Sequence, residues 1–188
     1  MAIVTIEVHG EDTKRYLGRL RAELWPRAFK EAGKEIGREA LLKFRQTVST
    51  WDHKPAFEEI IDVGADEVTV LVGTDDKIYG YLDRGTGLYG PRGAKYPIVP
   101  KQPGYPLKFM SGYQAKTVSA AAVGARGGSS FVGARAGGPF GEVVRAQAVM
   151  HPGVKPRDFT GMIQRYMNTK AHDIIERKVG ALLKKRYI

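Results

Sequence analysis

Cysteine is absent from the 188 residues. This excludes a disulfide framework, a thiolate metal site and a cysteine nucleophile, and it suits a reducing cytoplasm. No window approaches the roughly 18 apolar residues that a membrane helix needs. The opening residues place no basic segment ahead of an apolar run, so neither a secretory leader nor a membrane partner is expected. Histidine is sparse. His9, His53, His151 and His172 lie far apart, without the spacing that sets two ligands on one helix face. No metal and no cofactor are expected. Acid is scarce in the second half: residues 84–188 carry 18 basic and 4 acidic side chains, against 2 basic and 9 acidic over 51–83. A solvated surface accounts for any single charge. The block asymmetry points further, to subunits that complement one another or to a basic face for a polyanion.

What is present reads as one α+β domain over 1–188. The expected architecture is a small antiparallel sheet packed by a long N-terminal helix and a C-terminal helix, with a long Gly/Pro-rich loop region. Ala2 to Val8 alternates as a strand does. Pro26 predicts a kink, or a helix beginning near Trp25. Ala28, Ala32, Ile36, Ala40, Phe44 and Val48 then form a stripe at helical spacing. The glutamates and bases on its other face suit a salt-bridged solvent surface. Phe57 to Val63 and Val68 to Gly73 predict a hairpin. Asp75 and Asp76 mark the start of a short helix carrying Ile78, Tyr79 and Leu82. Brief extended pieces follow at 96–100 and 107–110, among prolines. Residues 124–141 contain seven glycines and cannot recover their ordering entropy by burial. A flexible arm or loop is therefore expected at about 111–141. Glu142 to Met150 alternates as a further strand. Phe159, Ile163, Tyr166, Met167, Ile174, Ile175 and Val179 line a C-terminal helix.

No constellation marks an enzyme. Gly85, Gly87 and Gly90 match a dinucleotide-loop spacing, but no buried strand precedes them and Pro91 follows where a helix should. Asp52 beside His53 lacks a marked nucleophile. The acids Asp62, Asp66, Asp75 and Asp76 suit a solvated or subunit-facing hairpin better than a metal-dependent nuclease. Tyr89, Tyr96, Tyr105, Phe109 and Tyr113 among basic residues could stack on bases. A basic nucleic-acid-binding module that does not read sequence is therefore the alternative function.

Two segments carry a resemblance. Tyr79, Asp83, Gly85, Thr86 and Gly87 form a tyrosine, acid, Gly-Thr signature. Later, His151, Pro152 and Gly153 form a turn that leads to Phe159 and the last helix. In this order the chain resembles the neck and tail-completion proteins of the tailed-bacteriophage head–tail junction, over residues 28–188. It departs where Asp158 stands in place of the family's usual proline, and in the length of the Gly-rich segment. The resemblance implies a non-enzymatic virion protein in a six- or twelve-fold ring of identical subunits. Its neighbours would be portal or adaptor proteins and tail-tube or tail-terminator proteins. Double-stranded DNA would pass through without sequence-specific contact. Localisation would be the virion neck, with assembly in the host cytoplasm. The nine residues of the two segments are the candidate turns and subunit contacts. Arg126 and Arg135 are the candidate DNA or channel contacts.

Overall fold

The computed structural model of the protein describes residues 2–9, 25–64, 67–114 and 138–184. Arg126 and Arg135, most of the expected arm and Asp66 lie outside the described residues. The chain is α+β, with three helices and small antiparallel sheets among the described residues. Its contacts divide into two units.

The first unit takes residues 1–45, 56–74 and 160–188. Strands β1 (Ala2–His9), β2 (Glu58–Val63) and β3 (Glu67–Thr74) form an antiparallel sheet in the order β1-β3-β2. The register places Val4 opposite Val72, Ile6 opposite Val70 and Val8 opposite Val68. All six side chains are buried, so the period-two pattern puts one face into a core. Helix α1 (Trp25–Thr47) contributes Ala28, Ala32, Ile36, Ala40 and Phe44 to that core. Gly33 and Gly37 allow it a close approach to the sheet. A Cβ on Gly33 would lie 2.9 Å from methyl groups of both Ile61 and Val68.

The expected long N-terminal helix is corrected. The chain opens with β1, and the first described helix starts at Trp25. Pro26 then falls in its first turn, where the missing N–H is not needed for an intrahelical bond.

Helix α3 (Phe159–Lys184) buries Ile163, Met167, Ala171, Ile175 and Val179. The glutamates of α1 do more than decorate a solvent face. Glu39 accepts a bond from the Tyr166 hydroxyl at 2.9 Å, and Lys43 lies 4.6 Å from the same ring centre. Glu35 pairs with Arg177 and with Lys178. Gln164 closes the free edge of β1. Its amide oxygen accepts from the Thr5 N–H at 3.1 Å, and its amide nitrogen donates to the Thr5 carbonyl at 2.6 Å.

The second unit takes residues 46–55 and 75–159. It holds helix α2 (Lys77–Arg84), a 3-10 turn at Gly87–Tyr89 and two two-stranded ribbons. Strand β4 (Tyr96–Ile98) pairs with β7 (Val149–His151), and β5 (Leu107–Gln114) pairs with β6 (Gly138–Ala146). The single strand expected over 142–150 is therefore two. Alternation continues through 147 and 148 in sequence, but the pairing partner changes there. The ends of the expected arm, 111–114 and 138–141, are also strand. A bulge sets Gly141 and Glu142 opposite Ser111, whose hydroxyl accepts from the Glu142 N–H at 3.0 Å.

Candidate functional site: a joint between two distant turns

The second unit is centred on Tyr79. Asp76 starts α2 by accepting from the Tyr79 N–H at 2.8 Å. This fixes the tyrosine on the first turn of the helix, facing inward. The Tyr79 ring is fully buried, 6.0 Å from the Trp51 ring and 5.5 Å from the Phe159 ring. The Trp51 and Phe159 centres lie 6.4 Å apart, which closes an aromatic triad. The Tyr79 hydroxyl shares a 3.3 Å hydrogen bond with Thr47. Burial pushes its pKa far up; the Thr47 bond opposes this and the Asp83 charge adds to it.

Beyond the triad, the two signature segments bind each other through backbone. The Thr86 N–H donates to the Val154 carbonyl at 2.9 Å, and the Val154 N–H donates to Thr86 Oγ1 at 3.0 Å. The Leu88 N–H donates to the Pro152 carbonyl at 2.8 Å. The Asp83 carbonyl accepts from Arg157 and Asp158 at 3.2 and 3.1 Å. Thr86 thus uses its side chain and its backbone on one partner residue, which explains a hydroxyl between two glycines.

The glycines are required by contact as well as by conformation. Gly85, Gly87 and Gly153 have φ of 79°, 62° and 97°, a region that L side chains rarely adopt. A Cβ on Gly153 would lie 1.9 Å from the Thr86 carbonyl oxygen, and one on Gly87 would lie 2.5 Å from that of Pro152. His151 Nδ1 accepts from the Gly153 N–H at 2.9 Å, which tightens the turn and leaves the neutral ring's proton on Nε2. The ring also lies 5.4 Å from that of Tyr96, its partner in the β4–β7 pair.

All nine residues of the two segments therefore belong to one joint. Tyr79, Asp83, Gly85 and Phe159 hold it from inside, while Thr86, Gly87, His151, Pro152 and Gly153 carry its exposed and half-buried rim. Arg126 and Arg135 fall outside the described residues.

Sequence reasoning does not find two contributors. Trp51 completes the triad from beyond the end of α1. His53 Nε2 lies 2.6 Å from Asp76 Oδ2, so its acid partner is 23 residues away and is not the adjacent Asp52. Desolvation raises the Asp76 pKa, but the Tyr79 N–H and His53 outweigh it and hold the carboxyl below its ordinary value. An open groove of about 720 Å³ passes His53, His151, Tyr113, Lys155 and Arg157. Among the described residues no three His, Asp or Glu side chains converge as a metal site. No helix there is long and apolar enough to cross a membrane. The strongest interactions in the joint are backbone hydrogen bonds and ring packing, so its evident capacity is to fix two loops in one geometry. Comparison with family models, with curated proteins and with solved structures finds no match.

Proposed function

We propose that this chain is a structural component of the head–tail junction of a tailed bacteriophage, a neck, connector or tail-completion subunit. It forms a ring around the DNA channel and catalyses no reaction. The observation that carries the reading is the joint. The Tyr79–Gly87 and His151–Phe159 segments suggest the family through their order, and they meet in space through Thr86 and Val154, 68 residues apart. A shared joint gives a physical reason for both segments to occur in one chain. In this reading the buried triad sets the loop geometry, and the rim of turns presents it to neighbouring subunits.

The basic body of the chain faces the genome in passing. Contact with phosphate there is weak and independent of sequence, since tight binding would stall transit. The neighbours are portal or adaptor proteins on one side and tail-tube or tail-terminator proteins on the other. The site of action is the virion neck, reached from the host cytoplasm during assembly. Particles assembled without the chain should carry unjoined or unstable tails when imaged by electron microscopy. Normal, infectious particles without it would sink the reading.

The exposure of Tyr89, Tyr96, Tyr105, Phe109 and Tyr113 supports a second reading, a basic module that binds nucleic acid outside any virion. That module would hold a DNA duplex in isolation, with affinity falling steeply as salt rises. Absence of binding at low salt would remove it.

A further inference from the structure

A second pocket, of about 760 Å³, opens beside the joint, between α2 and the loop that leads to β4. Arg84, Arg92 and Lys95 line it together with Tyr81 and Tyr96, and no carboxylate does. Its wall includes Gly80, Gly85 and Gly87, which add no side chain to fill it. Gly80 is unfavourable inside a helix, where glycine is a poorer helix former than alanine. A Cβ at Gly80 would meet the Arg84 guanidinium at 3.3 Å, so the arginine lies back over this position. None of the three cations makes an ion pair among the described residues. Tyr81 is 55% exposed and Tyr96 38%. The pocket thus combines cations with open aromatic surface.

The first unit carries a surface of matching chemistry. Strand β2 is an edge of its sheet. By alternation Glu58, Ile60 and Asp62 share one face, with the two acidic positions about 13 Å apart along the strand. All three side chains are exposed, Ile60 at 61%. Neither acid is ion-paired among the described residues. An apolar side chain between two carboxylates complements aromatic surface among cations.

We propose that this pocket receives the Glu58–Ile60–Asp62 face of a second copy of the chain. The acids of β2 meet Arg84, Arg92 and Lys95, while Ile60 packs on Tyr81 and Tyr96. The contact is heterologous, since two different patches meet, and repetition of such a contact generates a ring or a filament. The proposal rests on the ring reading and supplies it with a defined interface.

Charge exchange tests it on the full-length chain, with association measured by sedimentation against protein concentration and salt. Glu58→Lys with Asp62→Lys should weaken self-association at least tenfold, and so should Arg84→Glu with Arg92→Glu. Mixing the two variants should restore association, because one reversed pocket then meets one reversed strand. That recovery is beyond a variant that has merely lost its fold. A wild-type chain that stays monomeric at high concentration and low salt overturns the proposal. So does association that neither pair of substitutions changes, or a mixture that fails to recover. A short DNA duplex serves as competitor. If the pocket variant loses duplex binding and keeps self-association, the pocket is a phosphate site and the proposal is wrong. The ring reading is judged separately, on tail joining in particles, so either can fail while the other stands.

Discussion

Thr86 and Gly153 show how little freedom a single position has in the joint. Alanine at 153 would have to adopt a φ of 97° and would also press its Cβ into the Thr86 carbonyl. Both faults act on the folded state, so the loss should exceed the 0.4–1 kcal/mol or so of an ordinary glycine effect and reach about 3 kcal/mol or more. Denaturant unfolding of Gly153→Ala measures this, and a change under about 1 kcal/mol would show that the turns are not clamped. Asp76 gives a pH signature. Its folded pKa is depressed, so it adds stability above the unfolded value of about 3.9, and that stability is lost as pH falls through the folded value. Asp76→Asn keeps a capping side chain and removes the charge. Wild type should therefore be more stable than Asp76→Asn at pH 7, with the gap closing below pH 4 or so. A gap that widens toward acid would contradict the sign. Tyr79 behaves in the opposite way. Its raised pKa favours the folded chain until pH climbs past about 10. Its absorbance change should therefore lag the ordinary tyrosine range and coincide with alkaline unfolding. Tyr79→Phe should remove that late component.

Strand β1 and helix α3 meet through one side chain that works as a substitute strand. Gln164 satisfies both the N–H and the C=O of Thr5, which would otherwise lie on an open sheet edge. Gln164→Leu keeps bulk and removes both partners. Thr5 is exposed, so water can replace part of the loss, and a cost of about 1 kcal/mol is expected. Hydrogen exchange at the Thr5 amide should accelerate while exchange at Val4 and Ile6 does not, which separates edge fraying from global unfolding. The elements themselves are legible in sequence where one face is buried along their whole length, as for β1, β3 and the Ala28-to-Phe44 stripe. Legibility fails where the determinant is a partner. The run from 142 to 150 alternates as one strand, yet its two halves pair with β5 and β4. His53 joins Asp76 through tertiary approach that spacing does not encode. The joint is legible in half: glycine, proline and threonine announce two turns, but nothing local in either says that they hydrogen-bond to each other.

Each unit is assembled from separated stretches of chain. The first is built from residues 1–45, 56–74 and 160–188, so its core includes the last helix. Ile163, Met167 and Ile175 are fully buried there. Each such side chain is worth about 1.5–3 kcal/mol against a typical total stability of 5–15 kcal/mol. Removing all of α3 after Phe159 should therefore exceed what the sheet and α1 retain. The same cut removes Gln164, Tyr166, Arg177 and Lys178, and with them the partners of Thr5, Glu39 and Glu35. The bonds of the joint named above run between residues 47 and 159. A chain ending at Phe159 should consequently lose amide protection at Val4, Ile6 and Val70. Thr86 and Val154, bonded to one another, should keep theirs. Hydrogen exchange on the truncated chain reads both sets together. Protection that persists in β1 would show that the N-terminal elements need no α3. Loss at Thr86 along with Val4 would show that the joint depends on the helix that its own last residue begins.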